Sequence, residues 1–232
     1  MSKAIKFILT DIEGTTTSIS FVTDILFPYF RKNIAKLKDM TENPEVFQAF
    51  EETIDLAKEI EGKELKQTDE IIETLLKWSL KDKKITPLKT LQGILWEDAY
   101  KSGEVKGHIY EDVPQAFKTW KENGIDLGIF SSGSVPAQKL LFTYSDFGDL
   151  SPNFTAYFDT KTGGKRETET YTKISQNLNI SPENILFLSD IVEELEAAKS
   201  AGFQTIQLVR EGNTASWENH VSSFSEIEVL TS

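Results

Sequence analysis

The chain has 232 residues, with 37 Asp and Glu against 25 Lys and Arg, a formal charge of −12 and no cysteine. The length suits one large domain or a core carrying a smaller insert. The acid excess excludes a general nucleic-acid surface, which needs clustered Lys and Arg; the missing cysteine excludes disulfides, thiolate catalysis and sulfur-ligated zinc.

Ile5 to Thr10 is a compact apolar run stopped by Asp11, Glu13 and Gly14, the pattern of a buried strand entering a polar loop. From about Ser18 to Ser102 apolar residues recur every three or four positions: Phe27, Phe30, Ile34, Leu37; Phe47, Phe50, Ile54, Ala57; Ile71, Leu75, Trp78; Leu88, Leu91, Leu95, Ala99. This spacing predicts four helices and no strand, with Pro44 and Pro87 near helix starts. After His108 the pattern alternates. Asp112 is expected to cap a helix over 113–123 that Gly124 ends. Strands follow at 125–130, 157–158, 185–188 and 203–209, with helices from Val135, over 167–178 and over 193–201.

Strands separated by helices imply an α/β fold, a doubly wound Rossmann-like parallel sheet covered on both faces. The expected organisation is an α/β core over 1–18 and 108–232, interrupted by a helical cap domain over 19–107. No stretch reaches membrane-spanning length, and the opening apolar run is too short for a signal peptide. The chain is expected to be a cytoplasmic protein.

Ligands of an open parallel sheet bind beyond the carboxyl ends of its strands. Four such ends carry matching chemistry. Asp11 can attack phosphorus, and Glu13 can protonate the leaving oxygen and then activate water. Ser131 and Ser132, before a helix start, suit phosphate oxygens. Lys165, in Thr162-Gly-Gly-Lys-Arg166, can offset repulsion between carboxylate and phosphate. Asp190 with Asp11 can supply a magnesium site, with Glu194 behind it.

These segments, in this order, resemble the haloacid dehalogenase superfamily. Glu13 departs from the Asp usual at that position. The string Asp11-Ile-Glu-Gly-Thr-Thr-Thr-Ser-Ile-Ser-Phe-Val22, with Leu26-Phe-Pro-Tyr-Phe30, Gly93-Ile-Leu-Trp96, Tyr110-Glu-Asp-Val113, Ser131-Ser-Gly-Ser134 and Ser189-Asp190, is similar to one branch of it. That branch is the enolase-phosphatases (acireductone synthases) of methionine salvage. The resemblance implies a magnesium-dependent bifunctional enzyme that enolises 2,3-diketo-5-methylthiopentyl 1-phosphate and then removes its phosphate through an aspartyl phosphate, giving the acireductone.

It further implies that Asp11 and Glu13 are catalytic, that Asp11, Glu13 and Asp190 are metal-associated, and that Ser131, Ser132 and Lys165 bind the substrate phosphate. It implies a monomer, cytoplasmic or also nuclear, acting on a small molecule without nucleic acid or membrane. The enolisation base stays open between Glu13 and Asp11. Phe21, Phe27, Trp96 and Tyr100 are candidates to hold the thioether tail, with core packing expected of at least two. Arg31 and Lys32 are expected at the surface, and His108 and His220 carry no assigned role.

Overall fold

A computed structural model describes residues 4–210, 212 and 214–229. The outermost residues of the expected core, 1–3 and 230–232, lie outside this set. The chain forms two compact units, Met1–Ile19 with Lys106–Ser232, and Ser20–Val105.

The first unit is built on a six-stranded sheet: β1 (Phe7–Thr10), β2 (Asp126–Phe130), β3 (Phe154–Phe158), β4 (Ile185–Ser189), β5 (Gln204–Leu208) and β6 (His220–Val221). The order is β3-β2-β1-β4-β5-β6, and every pairing is parallel. All four residues of β1 are buried, as a central parallel strand requires, which explains its unbroken apolar run.

Helices α5 (Val113–Glu122) and α6 (Val135–Thr143) connect strands moving outward from β1 through β2 to β3. Helices α7 (Thr168–Leu178) and α8 (Val192–Ser200) connect strands moving the opposite way. Right-handed crossovers therefore place the two pairs on opposite faces. Phe7, Leu9, Phe130 and Phe187 pack with Tyr171 and Ile174 of α7 and Leu195 and Ala198 of α8. A second aromatic group joins Phe117 and Trp120 of α5 to Phe142, Phe154 and Phe224.

Two expectations for this unit change. Asp112 stands at the start of α5, yet its side chain makes no capping bond there. Its carboxylate instead accepts from the Phe224 amide (2.6 Å), Arg210 (2.9 Å) and the Ser223 hydroxyl (3.0 Å). A guanidinium and two further donors satisfy a carboxylate better than one exposed helix amide. The sheet also gains β6, which has no signature in the sequence because two residues, one of them the polar His220, carry no alternation.

The second unit holds α1 (Phe27–Asn33), α2 (Pro44–Glu61), α3 (Thr68–Leu80) and α4 (Thr86–Ser102), and no strand. The first helix is irregular, preceded by a π-helical stretch over Phe21–Leu26 and followed by a 3-10 stretch over Ile34–Met40. α2 begins at Pro44 behind Asn43, whose side chain accepts from the Glu45 and Val46 amides (2.9 and 3.4 Å). It ends at Gly62 in the left-handed conformation.

Phe30, Leu37, Phe50, Leu75, Trp78, Leu88 and Leu91 form the core of this unit. Phe47 is a correction: it is 58% exposed, because α2 turns Val46, Ala49, Phe50, Thr53 and Ala57 inward instead. Phe21 and Tyr100 are buried, whereas Phe27 and Trp96 are half-buried with ring centroids 6.0 Å apart. Arg31 is not a free surface cation; it donates to the hydroxyl and carbonyl of Ser79 (3.2 and 3.1 Å).

The two faces of α2 make a direct comparison. Phe50→Ala should lower unfolding stability by about 3–5 kcal/mol, while Phe47→Ser should stay within about 0.5 kcal/mol. Urea denaturation of both variants checks this, and equal losses would contradict the assignment of faces.

Candidate functional site

The strand order reverses between β1 and β4, the point at which open α/β sheets bind ligands. Register aligns the two ends. Thr10 pairs with Leu188, and the Asp11 amide donates to the Leu188 carbonyl at 2.9 Å. Asp11 and Asp190 therefore emerge side by side.

The turn after Asp11 closes tightly. The amides of Thr15, Thr16 and Thr17 all donate to the Ile12 carbonyl (3.2, 2.9 and 3.0 Å), and Gly14 donates to the Thr17 carbonyl at 2.8 Å. Gly14 has φ +74°, and a Cβ there would collide with the Asp190 carboxylate. Only glycine satisfies both demands.

A cavity of about 160 Å³ opens at this point, lined by Asp11, Glu13, Ile19, Ser131, Ser132, Lys165, Asp190, Ile191 and Glu194. All six residues expected from the sequence meet in it. A larger hollow of about 590 Å³, by Ile5, Leu186 and Gln204, contains none of them.

Lys165 is 8% exposed and its ammonium is shared, 2.6 Å from Asp11 Oδ1 and 2.7 Å from Glu194 Oε2. Burial alone would lower its pKa, but the Asp11 and Glu194 carboxylates outweigh burial and hold it above the usual lysine value. It stays charged. Glu194, expected behind the metal, grips Lys165 and accepts from the Ser189 hydroxyl at 2.9 Å. Burial first, then the Asp11 charge, raise the Glu194 carboxyl despite Lys165.

Tyr171 anchors the backbone of Lys165, its hydroxyl donating to the Lys165 carbonyl at 2.6 Å. Ser131 is buried and its Oγ accepts from the Gly133 amide at 3.2 Å, which leaves the O–H to donate. Ser132 and Glu13 are exposed at the rim. Asp159, at the end of β3, accepts from the Val135 amide at 3.3 Å and ties that strand to the start of α6.

Magnesium binds through one or two carboxylates plus waters and phosphate oxygens, without a closed protein cage. Two features of Asp190 fit such an ion. Its Oδ1 is buried with no hydrogen-bond partner. Burial, followed by the neighbouring Asp11 charge, pushes its carboxyl up to about 7. Among the described residues no three His, Cys, Asp or Glu side chains gather as a ready-made metal cage. Asp11, Glu13 and Asp190 all line the cavity, Asp11 buried, Asp190 half-buried and Glu13 exposed.

The haloacid dehalogenase-like hydrolase family matches residues 5–202. The chain belongs to the haloacid dehalogenase-like hydrolases. Within that family it is 52% identical over 227 residues to a protein named enolase-phosphatase E1 from Picosynechococcus sp., covering 97% of this chain and 99% of that one. It is 46% identical over 226 residues to the enolase-phosphatase E1 of Drosophila mojavensis, covering 94% and 91%. The crystal structure of the UTR4 protein from Saccharomyces cerevisiae matches with a TM-score of 0.79 and 32% identity, covering 96% of this chain and 100% of that one. No helix among the described residues is long and apolar enough to cross a membrane.

The raised Asp190 carboxyl has a signed consequence. Between about pH 4 and about pH 7 the folded hydrolase keeps a proton that the unfolded chain has lost. Stability from this group is therefore present at low pH and lost as pH rises through about 7. A cation competes with that proton. Magnesium should raise the Tm more at pH 8 than at pH 5.5, and Asp190→Asn should erase the difference. An equal shift at both pH values would contradict the assignment.

Proposed function

We propose that this hydrolase is a magnesium-dependent enolase-phosphatase of methionine salvage, acting on 2,3-diketo-5-methylthiopentyl 1-phosphate as a cytoplasmic monomer. The observation that carries phosphoryl transfer is the buried Asp11 carboxylate held by Lys165 beside Asp190. The near-full-length similarity to proteins named enolase-phosphatase supports the particular substrate.

Ser131, Ser132 and the Lys165 ammonium bind the substrate phosphate and orient phosphorus toward Asp11. Asp11 Oδ forms a bond to phosphorus as the ester P–O bond breaks, and the leaving oxygen takes a proton from Glu13. Glu13, now a carboxylate, takes a proton from water. That water attacks phosphorus, and the bond to Asp11 breaks, releasing inorganic phosphate and restoring both carboxyl groups. In the preceding enolisation a base removes a proton beside the carbonyl, the C–H electron pair becomes the C=C bond, and the resulting enolate oxygen takes a proton from solvent to give the enol; Glu13 is the first candidate base and Asp11 the second. Magnesium would be held by Asp11, Glu13 and Asp190 and would supply Lewis-acid charge to the phosphate oxygens and to the carbonyl oxygen. The helical unit Ser20–Val105 serves as the cap domain.

Absorbance of the enol, followed alongside phosphate release from the diketo phosphate, tests this reading. The enol should appear before free phosphate. Phosphate release with no enol at any time would reduce the activity to a simple phosphatase. Asp11→Asn should lower phosphate release at least ~10³-fold, since an amide is a poor nucleophile. Normal turnover by that variant would refute the covalent route.

A further inference from the structure

Arg210 is charged and 8% exposed, and no step above uses it. Its guanidinium is spent on partners far apart in sequence. Nε and Nη2 both donate to the Thr15 carbonyl, at 3.0 and 2.8 Å. Nη1 donates to Asp112 Oδ2 at 2.9 Å and to the Ser222 carbonyl at 3.1 Å. The plane lies 4.2 Å from the Tyr110 ring centroid and 5.3 Å from that of Phe224. Burying a guanidinium is costly unless its donors are paired, and four of these five N–H groups have an acceptor.

The fork ends on the turn that carries the chemistry. Thr15 lies two residues beyond Glu13, inside the turn closed on the Ile12 carbonyl. Glu13 forms an isolated parallel bridge with Thr17, so its aim follows the turn. Outside the turn, its backbone is held by two carbonyls: Thr15 on Arg210, and Thr16, which accepts from the Tyr110 amide at 3.0 Å. The Tyr110 ring that stacks on Arg210 belongs to the same anchor.

We propose that Arg210 is a positioning residue for proton transfer to the leaving group: by forking onto the Thr15 carbonyl from a mount fixed by Asp112 and Ser222, it holds the turn that aims Glu13. The proposal rests on the reading of Glu13 as the acid. Lysine is no substitute, because an ammonium cannot donate in parallel to one carbonyl while also reaching Asp112. Phosphate binding is untouched, because Ser131, Ser132 and Lys165 lie on other segments.

The test compares two substrates in the full-length, magnesium-loaded protein. An alkyl phosphate needs its leaving oxygen protonated; 4-nitrophenyl phosphate does not. Arg210→Lys should lower kcat/KM, which reports formation of the aspartyl phosphate and not its hydrolysis, about tenfold or more on the alkyl ester and less than about threefold on the nitrophenyl ester. Asp112→Asn, which loosens the mount and keeps the fork, should show a smaller loss with the same selectivity; it decides the matter should Arg210→Lys fail to fold. Equal loss on both esters, or none, from a folded variant overturns the proposal. Glu13→Gln separates the two readings: selective loss there without it in Arg210→Lys sinks only the role of Arg210, whereas no selectivity in Glu13→Gln removes Glu13 as the acid.

Discussion

Four carboxylates, Asp11, Glu13, Asp190 and Glu194, line one small cavity with the single ammonium of Lys165. That imbalance is the constraint around which the site is arranged. Inside a protein such charges interact far more strongly than in water, so the surplus negative charge must be relieved. Here it is relieved twice. Lys165 stays protonated against the cost of its own burial, and Asp190 keeps a proton well above the ordinary carboxylate range. A dianionic phosphate entering this cavity unaided would be repelled. A divalent cation beside Asp11 and Asp190 would supply the positive charge that the chain, at −12 overall, does not.

The sheet makes this crowding possible. β1 and β4 run parallel and in register at the reversal of strand order, so their carboxyl ends deliver Asp11 and Asp190 to one place. β2 brings Ser131 on the other side of β1, and the loop beyond β3 brings Lys165. Backbone hydrogen bonds to the carbonyls of Leu188 and Phe158 place Asp11 and Ser131, and the Tyr171 hydroxyl places Lys165. Gly14 shows how tight the fit is, since any side chain there would displace Asp190.

Much of this was legible in the sequence, and for a physical reason. A buried parallel strand must be an apolar run, and a run that stops at Asp11, Ser131 or Asp190 announces its own end. The six expected site residues, each ambiguous alone, do meet in one cavity. What stayed hidden depends on partners distant along the chain. Asp112 looks like a helix cap until Arg210 arrives from beyond β5. Arg210 itself looks like any surface arginine, because its main partner is the backbone of Thr15, 195 positions away. Phe47 fits the helical spacing as well as Val46 does, and only the packing of the helical unit decides which of them turns inward. Glu194 is expected behind a magnesium ion, and only the fold shows its carboxylate against Lys165.

The central claim is that Asp11 itself becomes phosphorylated. An acid quench during steady turnover, followed by borohydride reduction and peptide mass spectrometry, tests it most directly, because an aspartyl phosphate is reduced to homoserine whereas a free carboxylate is not. The account predicts homoserine at position 11 and at no other acidic residue of the cavity. Unmodified Asp11 under conditions of full turnover, or instead homoserine at Asp190 or 5-hydroxynorvaline at Glu13 or Glu194, would contradict it.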